Sequence, residues 1–155
     1  MYHSEIMEFV IGASEAADGC DVPVFAAIAI GTYMVSFAKN ESERLGKPWY
    51  HAEFLAIKMA YEKRDGIGYL DDASIYVNLE PCHFCAAALE RVRIKNIFFG
   101  AYDSKCGAIT NNARLFDHSQ IRPNVVGGIQ EERCSRVISG FFERLRHSNS
   151  VLKDE

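Results

Sequence analysis

The sequence predicts one domain over residues 1–155, with a three-layer α/β/α architecture around a five-stranded mixed sheet. The main observation is that segments with the pattern of strands alternate along the chain with segments of helical periodicity. The second observation is size and composition, since 155 residues of which 48% are hydrophobic suffice for one substantial core. The sequence contains no internal repeat, low-complexity segment or linker that would divide it.

The first part of the chain predicts a helix and then a β-hairpin. A helix near residues 3–17 is indicated by apolar side chains at helical spacing, namely Ile6, Phe9, Val10 and Ala13. The apolar run over residues 22–30 predicts a strand that is buried on both faces. A tight turn at Gly31 leads into a second strand over residues 33–38, and a polar loop is expected over residues 40–50.

The middle of the chain predicts two helices on either side of a strand. Residues 51–64 form the first helix, with an apolar stripe that consists of Ala52, Leu55, Ala56, Met59 and Ala60. Gly66 and Gly68 are expected to end that helix, and residues 74–79 form the third strand. Residues 82–92 predict the second helix, whose alanines allow a close approach to its neighbour.

The last part of the chain predicts two short strands and a long amphipathic helix. The strands are expected over residues 96–99 and 124–126. Apolar side chains at positions i, i+3, i+4, i+7, i+8 and i+11 indicate the helix, and they are Cys134, Val137, Ile138, Phe141, Phe142 and Leu145. Residues 149–155 are polar and are expected to be frayed.

Charge and hydropathy restrict the classes of function. A formal net charge of −4 argues against a general nucleic-acid coat, although it is compatible with a small basic patch. Apolar runs fall well short of the roughly 20 residues that a membrane helix requires, so no membrane association is expected. Residues 1–8 contain two glutamates and no Lys or Arg, unlike a signal peptide, and a cytoplasmic location is therefore predicted.

A split motif carries the candidate chemistry. His51 and Glu53 lie at the start of one predicted helix, and Cys82 and Cys85 lie at the start of another. One histidine and two cysteines supply three zinc ligands, and a fourth position left for water is the mark of a catalytic zinc site. Zinc lowers the pKa of a bound water, and Glu53 is expected to accept a proton from that water and to pass it on to the substrate.

The cysteine pair has two other interpretations, a redox pair or half of a structural zinc site. A redox pair requires a thioredoxin-like context, which the sequence lacks. A structural zinc site requires a second pair, which Cys20, Cys106 and Cys134 do not form, so the motif as a whole favours the catalytic site. His83 fills a variable position of the motif and is expected at the surface or at a pocket rim rather than on the metal.

Together with segments elsewhere, the motif resembles the bacterial tRNA-specific adenosine deaminases of the cytidine deaminase-like superfamily. The resembling segments are Val22-Pro23-Val24, Asn40, His51-Ala52-Glu53, Tyr76 to Cys82, Phe99-Gly100-Ala101, Asp103 to Ala108 and Phe141 to Arg146. The zinc motif is common to the superfamily, whereas the loop from Asp103 and the Phe-Phe helix are more specific to the tRNA enzymes. The resemblance implies a cytidine deaminase-like α/β/α fold and a single zinc-dependent deaminase domain.

The resemblance also implies an activity. The expected enzyme is a hydrolase of C–N bonds other than peptide bonds in cyclic amidines, which converts adenosine to inosine at the wobble position of a tRNA anticodon. One zinc ion per subunit would be held by His51, Cys82 and Cys85, with Glu53 as the catalytic residue. The implied partners are a tRNA anticodon stem-loop and a second copy of the chain, in a homodimer with the pocket near the subunit interface.

Substrate contacts follow from the resemblance as well. Asn40 and backbone N–H groups near Cys82 would hold the flipped-out base. The residues implied to contact RNA are Asp103, Lys105, Phe141, Phe142 and Arg146. Both phenylalanines also fall on the apolar stripe of the last helix, so a purely structural role is open for each of them.

Three positions depart from the family pattern, and two other functions stay open. Phe25 stands where glycine is usual, Cys106 where threonine is common, and Asn78 where threonine is usual. The alternatives are a free nucleobase or nucleoside deaminase, acting on guanine or cytosine, and a catalytically inactive RNA-binding subunit. The acidic net charge favours the first alternative, Lys105 and its loop favour the tRNA enzyme, and Glu53 argues against the inactive subunit.

Overall fold

The computed structural model describes residues 3–63 and 68–151, and describes side chains over residues 3–63 and 68–148. The helices are α1 (His3–Glu15), α2 (Ser42–Leu45), α3 (Ala52–Lys63), α4 (His83–Arg91) and α5 (Glu131–Val151), and a short 3-10 helix covers Leu115–Asp117. The strands are β1 (Phe25–Ile30), β2 (Tyr33–Lys39), β3 (Ala73–Leu79), β4 (Asn96–Ala101) and β5 (Asn124–Val126).

The five strands form a single mixed sheet in the order β2-β1-β3-β4-β5. Strand β1 pairs antiparallel with both β2 and β3, whereas β3, β4 and β5 are parallel to one another. The β1–β2 hairpin contains an irregularity in register between Ile28 and Ala29. The predicted five-stranded mixed sheet is therefore confirmed, and α4 connects the parallel strands β3 and β4, so its first residues follow directly after the C-terminal end of β3.

Hydrophobic side chains cover both faces of the sheet, which creates the three layers. One core joins the sheet to α3 and α4, and it includes Ile28, Ile75, Ile97, Ala56 and Leu89. The other core joins the sheet to α1 and to the start of α5, and it includes Ala27, Tyr76, Ile6, Val10 and Cys134. Alternate side chains of a strand point to opposite faces, so β1 and β3 contribute to both cores.

Some boundaries differ from the sequence-based expectations. The first strand begins at Phe25 rather than at residue 22, because Pro23 has no N–H for a ladder and the Val24 N–H donates to the Val22 carbonyl at 2.7 Å. The predicted loop over residues 40–50 contains the single turn of α2. The last helix begins at Glu131, three residues earlier than expected, and its backbone is helical through Val151.

Several expected features lie outside the described residues, namely the end of the predicted 51–64 helix at residue 64, Gly66 and residues 152–155. Within the described ranges, no helix is both long enough and apolar enough to cross a membrane.

Candidate active site

Two helix starts bring the motif residues together. The His51 carbonyl accepts a hydrogen bond from the Leu55 N–H, so His51 immediately precedes the first turn of α3. Cys82 is the N-cap of α4, and its carbonyl accepts a hydrogen bond from the Ala86 N–H at 2.8 Å. The N-terminal ends of both helices therefore lie beside the same three side chains, where the helix dipoles stabilise negative charge on sulfur.

The geometry of these side chains suits a single metal ion. The Nδ1 atom of His51 lies 3.5 Å from the sulfur atom of Cys82 and 3.5 Å from that of Cys85. Ligand atoms of the three residues all lie within 4.8 Å of one another. Cys85 is buried, whereas His51 and Cys82 are partly exposed. One imidazole nitrogen and two thiol sulfurs form a donor set that zinc prefers, so these residues fit the ion.

The electrostatics of the three side chains favour one thiolate. Hydrogen bonds from the Cys85 thiol, the His51 ring and the Cys85 N–H hold the pKa of Cys82 at about 4, although burial opposes this shift. The hydrogen bond with Cys82 raises the pKa of His51. The interaction with Cys82, together with burial and the nearby Glu53, raises the pKa of Cys85. A metal ion would have to displace the Cys85 proton when it binds both sulfurs.

Glu53 is the carboxylate closest in sequence to this cluster. It lies in the first turn of α3, and its side chain is 4% exposed. Burial raises the pKa of Glu53 to about 7, with the neighbouring Cys82 contributing in the same direction. A carboxyl group with this pKa can both accept and release a proton near neutral pH.

A cavity of about 620 Å³ opens above the cluster. Its lining includes eight of the ten residues singled out from the sequence, namely Asn40, His51, Glu53, Cys82, Asp103, Lys105, Phe142 and Arg146. Cys85 is buried behind this lining and Phe141 is 7% exposed in the protein interior. A volume of this size is typical of sites that enclose a small molecule or one unit of a polymer.

Comparison with known proteins assigns the chain that carries this site to a family. Residues 1–101 match the family model described as the cytidine and deoxycytidylate deaminase zinc-binding region. A tRNA-specific adenosine deaminase of Rickettsia felis is 38% identical over 138 residues, which cover 86% of this chain and 95% of the relative. The chain belongs to the tRNA-specific adenosine deaminase family. It is therefore a zinc-binding deaminase, an enzyme that breaks a C–N bond by hydrolysis.

Solved structures agree with this assignment. A chain from a study of A-to-I editing by tRNA:A34 deaminases at the wobble position of transfer RNA superposes with a TM-score of 0.78 at 31% identity, covering 87% of this chain and 99% of that one. Guanine deaminase from Bacillus subtilis superposes with a TM-score of 0.59 at 27% identity, covering 66% of each chain. The predicted cytidine deaminase-like fold is confirmed by these superpositions.

In this deaminase, Asn40 is held from both sides on the cavity wall. Its side-chain amide donates to the Val22 carbonyl at 3.3 Å, and its side-chain oxygen accepts from the Ser42 N–H at 3.2 Å. The side chain is 7% exposed, so the amide has little freedom to rotate. An asparagine amide has two N–H groups and an oxygen with two lone pairs, which leaves one donor and one acceptor site for a ligand.

The three departures from the family pattern lie in different environments. Phe25 packs on Phe37 with ring centroids 5.7 Å apart, in the core beneath α1, and it does not line the cavity. Asn78 is fully buried, accepts a hydrogen bond from the Phe25 N–H at 2.8 Å and donates to the Pro23 carbonyl at 2.9 Å. Cys106 is exposed on the cavity wall.

Glu80 is the residue of this site that sequence reasoning missed. Its carboxylate is 2% exposed and accepts hydrogen bonds from residues 103–111, the loop that forms one wall of the cavity. Burial alone would raise the pKa of Glu80, but these hydrogen bonds lower it below the ordinary value. The sequence offered two signals, a carboxylate directly after β3 and the position of Glu80 inside the family-resembling segment from Tyr76 to Cys82, but neither assigns it a role.

Proposed function

We propose that this deaminase converts adenosine to inosine at the wobble position of a tRNA anticodon, with release of ammonia. The observation that carries the proposal is the cavity itself, in which the cluster of His51 and Cys82 shares one space with Lys105, Phe142 and Arg146. The relative from Rickettsia felis is named as a tRNA-specific adenosine deaminase, and it covers most of this chain. The substrate would therefore reach the metal from a wall that carries cationic and aromatic side chains.

The catalytic roles follow from the geometry of the cluster. His51, Cys82 and Cys85 would hold one zinc ion, since their ligand atoms lie within 4.8 Å of one another. When bound, zinc acidifies a water and so supplies a nucleophile at neutral pH. Glu53, in the first turn of α3, would take up one proton from this water and transfer it to a nitrogen of the purine ring. It would then carry the second proton, from the hydroxyl group added to the ring carbon, to the departing amino group, which leaves as ammonia.

The base would be oriented by Asn40. The remaining donor and acceptor sites of its amide face a cavity whose volume accommodates a nucleoside. An adenine in this position has to leave its base stack, which costs little in a single-stranded anticodon loop. This requirement supports a loop substrate rather than a base inside a duplex.

The RNA chain would be bound by the outer wall of the cavity. Lys105 and Arg146 can neutralise phosphates, and the Phe142 ring, which is 41% exposed, can stack on an unpaired base. Asp103 lies on the same wall, where its carboxylate accepts the N–H groups of Lys105 and Cys106 at 3.0 Å each. This local group of cations would allow a chain with a net charge of −4 to bind RNA.

The chain would work as a single-domain homodimer in the cytoplasm. One sheet with a core on each face supports the single domain. The exposure of Phe84 supports the proposal of a dimer. Its ring lies beside Phe54 and His51 and is 43% exposed, and a partner subunit would cover it. Light scattering after size-exclusion chromatography would test the dimer, and a monomer at micromolar concentration would contradict it.

A free guanine deaminase is the second candidate function. The superposition with the guanine deaminase of Bacillus subtilis and the acidic net charge favour it. The purified zinc-loaded protein would be incubated with an anticodon stem-loop that carries adenosine at the wobble position, and separately with guanine, cytosine and adenosine. Inosine in the RNA alone supports the proposal, whereas deamination of a free base alone would refute it. Zinc binding without any product would indicate an inactive RNA-binding subunit.

A further inference from the structure

The Glu80 carboxylate is the centre of a buried hydrogen-bond network. One oxygen accepts the backbone N–H groups of Ile109 at 3.2 Å, Thr110 at 2.7 Å and Asn111 at 3.0 Å, as well as the Thr110 hydroxyl at 3.0 Å. The other oxygen accepts the Asp103 N–H at 3.0 Å and the Asn111 side-chain amide at 2.6 Å. A single side chain thereby joins both ends of the 103–111 loop.

The same loop is attached to the segment that carries the first cysteine of the metal site. The Ala108 N–H donates to the Pro81 carbonyl at 3.0 Å, and Gly107 forms an antiparallel bridge with Cys82. A β-carbon on Gly107 would overlap the Glu80 carboxylate and the Asp103 carbonyl. Gly107 therefore has no room for a side chain between the Glu80 carboxylate and the start of the loop.

The loop presents to the cavity the side chains that would meet the RNA. Lys105 and Cys106 line the cavity wall, and their N–H groups donate to the Asp103 carboxylate. The Asp103 N–H in turn donates to Glu80. A continuous series of hydrogen bonds thus runs from the buried Glu80 carboxylate through Asp103 to the backbone of Lys105.

We propose that Glu80 is a positioning residue for RNA binding, which holds the 103–111 loop against the metal-site segment so that Lys105 is correctly placed before the substrate arrives. The proposal rests on the proposed function, since the loop is taken to contact RNA. Holding a loop in its bound conformation lowers the entropy that has to be lost on binding, and this gain should be expressed in substrate affinity.

The two oxygens of Glu80 must both be acceptors for this arrangement. The groups that face them are N–H and O–H donors from Asp103, Ile109, Thr110 and Asn111. The isosteric variant Glu80→Gln would turn an NH₂ group toward some of these donors and leave them buried without a partner.

The test compares kinetics and amide exchange of the full-length, zinc-loaded parent protein with those of three variants, Glu80→Gln, Asn111→Ala and the control Glu15→Gln. We expect Glu80→Gln to raise KM for the anticodon stem-loop by about tenfold, which corresponds to about 1.4 kcal/mol, with a smaller change in kcat and unchanged zinc content. Backbone amides of Ile109, Thr110 and Asn111 should exchange faster in the same variant. Asn111→Ala removes one donor and should give a smaller effect in the same direction, which provides a test if Glu80→Gln does not fold.

Glu15→Gln is the matched control. Its carboxylate also accepts two hydrogen bonds, from Arg133 at 2.9 and 2.8 Å, but it lies outside the cavity. Arg133 retains Glu8 as a partner in this variant, so KM should stay within about twofold of the parent value.

The outcomes separate this proposal from the proposed function. If the parent protein edits no RNA, the proposed function fails, and amide exchange alone then shows whether Glu80 holds the loop. If the parent edits RNA, an unchanged KM in Glu80→Gln or in a folded Asn111→Ala overturns the positioning role. Loss of zinc with a reduced kcat and an unchanged KM overturns it as well, because Glu80 would then act through the metal site.

Discussion

The Nδ1 atom of His51 lies 3.5 Å from the sulfur atom of Cys82, although thirty-one residues separate them in the chain. The approach depends on two helix starts, since α3 begins just after His51 and α4 begins just after Cys82. Strand β3 connects these helices and is fully flanked by β1 and β4 in the sheet. The metal site is therefore a property of the folded sheet rather than of either half of the motif.

Replacement of a metal ligand should remove zinc and activity together. We expect Cys82→Ser to lose bound zinc and to reduce turnover at least about a hundredfold, because even the loss of groups that only support metal ligands costs 10- to 100-fold. Metal analysis of the purified protein and deamination of the stem-loop would measure both effects. Cys20→Ser is the control, since Cys20 is exposed and does not line the cavity, and it should retain zinc and activity.

Replacement of Glu53 should separate metal binding from catalysis. We expect Glu53→Gln to keep its zinc and its fold while kcat falls by about 10²- to 10⁴-fold, because the amide cannot carry protons. The zinc content and the single-turnover rate of the same preparation would be compared with those of the parent protein. Substantial remaining turnover would refute the proton-transfer role.

The buried carboxyl of Glu53 should also make the stability of the metal-free protein depend on pH. Its pKa rises from 4.5 to about 7 in the folded protein, so the folded state binds this proton more tightly than the unfolded state does. The stability that this group contributes is present below pH 4.5 and is lost as the pH rises through about 7.

This pH dependence has a defined size. The Glu53→Gln variant lacks this titratable group. In the presence of a chelator, the free energy of unfolding of the parent should therefore fall between pH 4 and pH 8 by about 3 kcal/mol more than that of the variant. Urea unfolding of both proteins at these two pH values would measure the difference. Parallel pH dependence of the two proteins would contradict the assignment of the raised pKa to Glu53.

Removal of the Asn78 amide should destabilise the fold at the start of β1. Asn78→Ala would leave the Phe25 N–H and the Pro23 carbonyl buried without their partner, at a cost of about 2–4 kcal/mol. Urea unfolding monitored by circular dichroism would measure this loss. Asn96→Ala is a control, because its partly exposed amide donates to the Ser74 hydroxyl and accepts from the exposed Asn124 amide, and a loss below about 1.5 kcal/mol is expected.

The two adjacent phenylalanines of α5 should behave differently. Phe141→Ala should lower the free energy of unfolding by about 3–5 kcal/mol, because the ring is 7% exposed. Phe142→Ala should cost about 1 kcal/mol or less and raise KM for the stem-loop by about tenfold, because this ring faces the cavity. Equal effects of the two substitutions on KM would contradict the assigned difference.

Sequence patterns predicted the elements best where a local rule applies. The β-hairpin, the strands β3 to β5 and the amphipathic stripe of α5 could be predicted because the spacing of apolar residues within each short segment indicates them. The single turn of α2 was missed because four residues are too few to show a helical period. The early start expected for β1 overlooked Pro23, which cannot donate to a ladder.

The sequence by itself determined the chemistry that is available, since His51, Glu53, Cys82 and Cys85 could be recognised from residue type and spacing alone. Only the tertiary structure decided which side chains meet. It buried Phe141 and turned Phe142 to the cavity, although both fall on the same helical stripe, because exposure depends on which element covers each ring. It also assigned six loop hydrogen bonds to Glu80, whose donors lie 23 to 31 residues away and have no local signal. Periodicity describes one element, whereas burial and hydrogen-bond satisfaction arise between elements.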